Sequence, residues 1–415
     1  MQVVCLDDLV AADDELRRIE ALVDWDQVRK TAAPFYKPGG VGRMGLDPAV
    51  LVKLALVLAW RGLPSMRATL RVAATDISIR RFLGYGLTER LPDHSTFSVA
   101  QTRRFADSSV FEQLFTQVLR ACTDAGLVGG RRLVIDGTHI EAAAALKSLR
   151  AELSLVTDDD DQTPRDSAKS PSGDGARSRP DLKLAEPRTG PTPKRRASNQ
   201  TAVSQTDPDA KLRHKPGHRK HLVHRGQVAA DPKHRVIIAV QAELATGSEA
   251  GILEDLIMRA RFAGHTAAQV AADTGYASAD SYATLDRLKT TAFIPPQPAA
   301  KHPAAEQARE RMRTRAGRDA ALDRQAHAEG SIAELKRHGA DRARCRGTRL
   351  LQLQLLAAAT AINLKRLITL DPAASQGLTG DPDARNRTIL TLADLLTTTL
   401  REIDEILNNE SSTGS

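Results

Sequence analysis

Aromatic residues make up only 3% of this 415-residue chain, although apolar residues reach 41%. A core of that composition is built mainly from Ala, Leu, Val and Ile, which favours helices with small side chains. Cysteine is almost absent. Cys5, Cys122 and Cys345 are far apart, odd in number and without a CxxC pair, which excludes a disulfide framework and a cysteine-rich zinc site. The N-terminal residues lack the basic start and apolar run of a signal peptide. The longest apolar runs, residues 51–60 and 353–362, are short for a bilayer and carry Lys or Gln. A cytoplasmic protein without a membrane partner is expected. What the chain does have is positive charge, a formal +8 at pH 7, which predisposes a protein toward nucleic acid or another polyanion.

The first 126 residues read as an all-α domain. Leu16, Ile19, Leu22 and Val23 make one apolar stripe after Asp13-Asp14. Asp47-Pro48 is a helix start, with Asp as cap and Pro as first helical residue. Ser65, Asp76 and Asp93 or Ser95 are placed to cap the next three helices, and a further helix covers residues 110–125 and stops at Gly126. Short helices joined by Gly and Pro turns and interleaved with Arg61, Arg67, Arg71, Arg80 and Arg81 suit DNA binding. The plain alternative is a helical bundle with a solvated basic face.

After Gly129-Gly130 the period changes, and residues 127–370 read as a second, α/β domain. Residues 131–138 form a β-branched run that ends at Asp136-Gly137-Thr138, the pattern of a buried strand. Strands are expected at 222–230, 234–242, 268–272 and 291–294, and helices at 249–263, 324–338 and 350–367. A polar stretch at about 148–206 contains Asp158-Asp159-Asp160-Asp161, several prolines and Lys194-Arg195-Arg196. It reads as a disordered insertion. Residues 371–415 read as a C-terminal tail with one helix at 389–407.

Three strands, a helix, a strand and a helix are the order of an RNase H-like core, a mixed sheet flanked by helices. In such a core Asp136 and Asp273 end strands, and Glu329 sits on the late helix. Ala328, Ile332 and Leu335 form an apolar stripe there, Lys336 lies seven residues from Glu329 on the same face, and Glu334 is expected to turn toward solvent. Three carboxylates suit Mg²⁺, a hard cation that prefers oxygen ligands. Two such ions about 4 Å apart activate an attacking oxygen and stabilise the leaving one in phosphodiester chemistry. Taken singly, an Asp after a strand is a cap and a Glu on a helix is solvated. The residues alone reach a metal-dependent nuclease.

At these residues the chain resembles the bacterial insertion-sequence DDE transposases with an InsH-type N-terminal domain. The likeness is carried by residues 17–25, 80–85 and 92–98, then by 135–142, by Thr206-Asp207-Pro208-Asp209-Ala210, by Asp273-Thr274-Gly275-Tyr276, and by 329–337. The resemblance implies an RNase H-like catalytic domain, Mg²⁺ dependence (two ions, with Mn²⁺ able to substitute), and double-stranded terminal-inverted-repeat and target DNA as substrates. It also implies Asp136, Asp273 and Glu329 as metal ligands. The mechanism expected of it, handling two DNA ends together, calls for a homodimer on DNA. Related enzymes carry a Tyr and an Arg about two turns and one turn before the Glu. Here those positions are Leu322 and Gln325, with Arg324 beside the second, while Lys336 matches.

Arg337, Arg342, Arg344, Arg346 and Arg349 follow the Glu329 helix and are expected to contact the DNA backbone. His139 reads as a structural histidine or as a contact to the scissile phosphate. His214, His218, His221 and His224 lie in a basic stretch without cysteine and read as phosphate contacts or solvated side chains. Asp207-Pro208-Asp209 reads as a turn. Two other functions compete with a cut-and-join transposase: an inactive DNA-binding relic or regulator, and a general RNase H-like nuclease.

Overall fold

The computed structural model describes residues 5–36, 45–151, 199, 202–213, 219–245 and 249–370. Its first part is helical: α1 Leu6–Leu9, α2 Glu15–Leu22, α3 Trp25–Ala32, α4 Pro48–Trp60, α5 Met66–Thr75, α6 Ile77–Leu83, α7 His94–Ala100 and α8 Val110–Asp124. The starts follow from capping chemistry. Asp14, Asp24, Asp47, Ser65, Asp76 and Asp93 each accept a backbone N–H of the first turn with the side chain, satisfying donors that a helix end leaves orphaned. Helix α4 is buried nearly all round, so its one cation must be paired. Lys53 donates to Glu20 at 2.8 Å and to the Phe82 carbonyl at 2.6 Å.

The second part begins with β1 Arg132–Glu141, followed by the short strands β2 Leu149–Ala151, β3 Ala202–Ser204 and β4 Lys211–Arg213. Then come β5 His221–Ala230, β6 Ile237–Glu243, α9 Glu249–Phe262, β7 Gln269–Ala271, α10 Ala279–Arg287, β8 Thr291–Phe293, α11 Pro303–Arg313, α12 Arg315–Leu335 and α13 Thr348–Leu370. One six-stranded mixed sheet runs β4-β5-β1-β7-β8, with β6 also paired to β5. Strand β5 is antiparallel to β1 and β6, while β7 and β8 run parallel to β1. On one face, Ala320 and Ala328 of α12 pack on Val134, Ala230, Ala271 and Phe293. The other face joins α9 and α13 in a core that continues without a break into α2, α3, α4 and α8.

Helix α13 is the element both parts share. Asn363 and Gln352 lie eleven residues apart (363 − 352), three helical turns, and so share a face. Asn363 exchanges two hydrogen bonds with the backbone of Ile237, at 2.9 and 2.8 Å. Gln352 does the same with Ala242 N–H and Val240 C=O, at 2.7 and 3.1 Å. These amides cover backbone groups of β6 that strand pairing leaves open. Opposite them, the Cys122 thiol of α8 points at the Asn363 carbonyl, 3.6 Å away. At 23 residues α13 is longer than expected, and it is long and apolar enough to cross a membrane by composition alone. In the structure 83% of its apolar window is buried against the rest of the chain, as in a core helix.

Several expectations need correcting. Helices α10 and α11 were not foreseen, and α12 begins at Arg315 rather than 324. Its first three turns are rich in Arg, Asp and Ala and carry no apolar stripe, but Thr314 caps them through Gly317 N–H. Strand β6 begins at 237 because Arg235 adopts a left-handed φ of 57°. The inserted stretch falls mostly outside the described residues, as does the expected tail helix. Its two ends do not fit a disordered reading, because β2 and β3 pair antiparallel, Leu149 with Ser204 and Ala151 with Ala202.

Candidate active site

The register of the sheet brings two of the expected carboxylates together. On the parallel pair β1 and β7, Arg132 faces Gln269 and Val134 faces Ala271, a constant offset of 137 (269 − 132). Carried two residues further, the same offset sets Asp136 beside Asp273 (273 − 136). The strand pairing ends between these points, and Asp273 caps a single 3₁₀ turn, Thr274–Tyr276, by accepting from Gly275 N–H at 3.0 Å. Asp136 accepts from Gly137 N–H at 2.7 Å. The third carboxylate comes from α12. Ala328 packs in one cluster with Val134 and Ala271, and Glu329 is the next residue of that helix. Arg132 locks this arrangement, bonding Gln269 of β7 at 3.0 Å and pairing with Asp323 of α12.

The electrostatics report the same neighbourhood. Burial pushes the Asp136 carboxyl above its usual range, the Gly137 N–H draws it back, and the charges of Asp273 and Glu329 raise it while Arg324 lowers it. The four side chains therefore sense one another. Asp136 and Asp273 are partly buried, whereas Glu329 is exposed. Among the described residues, no three His, Cys, Asp or Glu side chains form a group able to hold a metal ion. The donor chemistry still fits a hard divalent cation: the set is all oxygen, it carries an excess of negative charge, and that charge is costly at Asp136 without a counter-ion.

Basic residues follow Glu329 at the end of α12. Lys336 and Arg337 are exposed in the five-residue π-type turn Lys336–Ala340 that ends α12. His139, two rungs beyond Gly137, is half-buried. Burial and the cations Arg213, Arg225 and Lys336 push its pKa down to about 4, so its imidazole is neutral at physiological pH. Of the arginines expected on DNA, Arg346 is exposed, and Arg342 is exposed with Glu141 at 3.7 Å. The other two are engaged within the protein. Arg349 pairs with Asp107 and donates to the Ala106 carbonyl at 2.9 Å, and Arg344 is largely enclosed against the Leu63 carbonyl.

Two further expectations are corrected by packing. Glu334 does not face solvent but pairs at 2.5 Å with Arg366, a buried cation of α13. His224 is neither solvated nor free to meet phosphate. It is fully buried, with Nε2 2.9 Å from Asp207. Asp207-Pro208-Asp209 is a turn, and its acids also cap α13: Asp207 accepts from Gly347 N–H, and Asp209 from Thr348 N–H and hydroxyl. His221 is exposed, and His214 and His218 lie outside the described residues.

Sequence reasoning missed the polar residues behind the acids. Tyr276 donates to Gln227 of β5, Gln227 donates to Glu243 at 3.4 Å, and the Arg225 guanidinium lies 5.8 Å from the Tyr276 ring centre. The only sequence signal was polar residues inside strands expected to be buried.

Two family models match the chain. Residues 4–103 match the family described as Transposase domain (DUF772), which covers α1 to α7. Residues 289–368 match the family described as Transposase DDE domain, which covers β8, α11, α12 and nearly all of α13, and so includes Glu329 and Lys336. Asp136 and Asp273 lie between the two matched segments. No solved structure matches the chain. A transposase domain at the helical start and a DDE transposase domain at the α12–α13 end are consistent with a DNA transposase of the DDE kind.

Proposed function

We propose that this transposase cuts DNA at the terminal inverted repeats of an insertion sequence and joins the freed ends to target DNA, at one site built on Asp136, Asp273 and Glu329. The observation that supports the reading is the constant 137-residue offset between β1 and β7, which, continued two residues past the paired segment, would bring Asp136 alongside Asp273, with Ala328 of the Glu329 helix packed in the same cluster as Val134 and Ala271. The sheet order supports an RNase H-like core: a central β1, an antiparallel β5 on one side that itself pairs antiparallel with β4 and β6, and parallel β7 and β8 on the other. In this reading residues 1–126 are the DNA-binding domain and residues 127–370 the catalytic domain, interrupted by the insertion at about 148–206.

The three carboxylates would hold Mg²⁺, through two ions, with Mn²⁺ able to replace it. The metal supplies Lewis-acid activation of the attacking oxygen and stabilises the leaving oxygen. The chain's own residues do the rest. Lys336, at the end of the Glu329 helix, holds a phosphate, and Arg324 offsets the acidic charge. His139, neutral and beside three cations, contacts the backbone as a hydrogen-bonding group rather than as a charge. Arg337, Arg342 and Arg346 extend the contact along DNA. Joining requires two ends in one complex, so a homodimer on DNA in the cytoplasm is the working form.

The test is cleavage of a labelled duplex bearing the element's terminal repeat, with and without Mg²⁺, comparing wild type with Asp273→Ala. Cleavage at the repeat by wild type alone supports the reading. Binding without cleavage by wild type points to an inactive relic, and cleavage regardless of sequence to a general nuclease.

A further inference from the structure

We propose that Tyr276, Gln227 and Glu243 form a buried brace that positions Asp273 against Asp136, and so sets how tightly the acidic site holds a divalent cation. The inference rests on the site reading above, but concerns residues that touch neither the cation nor DNA. Tyr276 is 1% exposed, Gln227 0% and Glu243 9%. Tyr276 closes the 3₁₀ turn that Asp273 opens. Its hydroxyl donates to Gln227 Oε1, and Gln227 Nε2 donates to Glu243 Oε2. Gln227 in turn faces Gly137 across the β1–β5 ladder. The brace thus ties the turn bearing Asp273 to the rung next to Asp136, from the opposite face of the sheet.

Space and chemistry both point to positioning rather than filling. A Cβ on Gly137 would stand 2.7 Å from Gln227 Oε1 and 3.2 Å from the Tyr276 hydroxyl. Only a glycine lets the two groups meet directly behind Asp136. Apolar side chains would fill the same interior without the desolvation cost of a hydroxyl, an amide and a carboxyl. What they would lack is direction. A hydrogen bond fixes one orientation of the turn, and metal ligands depend on such outer contacts for their aim.

The experiment uses the full chain without DNA and titrates Mn²⁺ by calorimetry into wild type, Tyr276→Phe, Gln227→Leu, the double variant and Asp273→Ala. Repeat cleavage (kcat and KM) and urea midpoints are measured on the same proteins. Tyr276→Phe removes one oxygen and keeps the ring, so it decides the matter even where Gln227→Leu folds poorly. The expected result is Mn²⁺ affinity reduced about 10-fold in each single variant, with kcat lowered and KM for DNA unchanged. The double variant loses no more than a single one, because both break the same bond. Wild-type Mn²⁺ affinity in Tyr276→Phe overturns the brace, as do losses that multiply in the double variant and follow the urea midpoint. Equal Mn²⁺ binding by wild type and Asp273→Ala overturns the site reading itself, and the brace with it.

Discussion

Gly62 rests on the backbone carbonyl of Arg337, so closely that a Cβ on Gly62 would lie 2.6 Å from that oxygen. The contact joins the turn after α4 to the π-type turn that ends α12, one residue past Lys336. His338 reinforces it by meeting the Ala59 carbonyl at 2.7 Å. The helical start of the chain is therefore seated on the end of the helix that carries Glu329 and Lys336. Gly62 also adopts φ +61°, so Gly62→Ala meets both a backbone penalty and a clash. The expected loss is about 1–3 kcal/mol of stability, with repeat cleavage falling more than the urea midpoint predicts. An unchanged urea midpoint would mean the seam does not join the two parts.

The carboxylate roles make a sharper demand. Asp136→Asn and Glu329→Gln keep side-chain size and remove the charge a cation needs, so each is expected to abolish Mg²⁺-dependent cleavage and leave repeat binding within a few-fold of wild type. A gel-shift titration beside a cleavage assay checks both halves. Substantial cleavage by either variant removes that residue from the site.

Much of this arrangement was legible one element at a time. Asp47, Ser65, Asp76 and Asp93 cap helices where the sequence placed them, because capping is a local contract between one side chain and the next turn. Asp136 and Asp273 stood out because each ends a buried apolar run and is followed closely by glycine. Long-range pairings were not legible. Nothing near Glu334 announces Arg366, 32 residues on, nothing near His224 announces a sealed Asp207, and the Tyr276–Gln227 contact spans 49 residues. The start of α12 was lost for another reason: its early turns have caps and small residues but no apolar period to read.

Asp207 and His224 are both fully buried, and His224 Nδ1 has no hydrogen-bond partner among the described residues. Removing Asp207 strands the remaining ring nitrogen as well and takes a cap from α13. Asp207→Ala is expected to cost roughly 3–5 kcal/mol, the range for breaking a buried pair from one side. Asp207→Asn, which keeps an acceptor, is expected to cost less. Urea denaturation of the two variants measures the difference, and equal losses would show that the charge rather than the hydrogen bonds holds the knot together.

Glu243 gives a pH signature. Burial pushes its carboxyl up to about 7, against the pull of Gln227 and Arg225. Its pKa is raised on folding, so the folded chain favours the protonated acid. The penalty is absent below the unfolded value near 4.5, grows as pH rises, and is complete above about 7. Glu243→Gln keeps an acceptor for Gln227 and cannot ionise. It is expected to be more stable than wild type at pH 8, by roughly 3 kcal/mol at most, and no more stable at pH 4. Urea midpoints from pH 4 to 8 check the slope, and a constant difference would mean that Glu243 does not titrate in that window.

The basic residues after α12 divide into two groups with different readouts. Lys336, Arg337 and Arg346 are exposed, whereas Arg344 is enclosed against Leu63 and Arg349 is paired with Asp107. A phosphate contact releases counter-ions, so each one lost lowers the dependence of log K on log salt by about 0.9. Arg337→Gln and Arg346→Gln are each expected to weaken binding to any duplex, flatten the salt slope by about that amount, and leave the urea midpoint in place. Arg344→Gln is expected to do the reverse, lowering stability while leaving the salt slope of the folded fraction unchanged. Fluorescence anisotropy over a range of salt concentrations, paired with urea denaturation, separates the two. A flattened slope in Arg344→Gln with unchanged stability would move the DNA path into the seam between α4 and the end of α12, and away from the open surface beside Glu329.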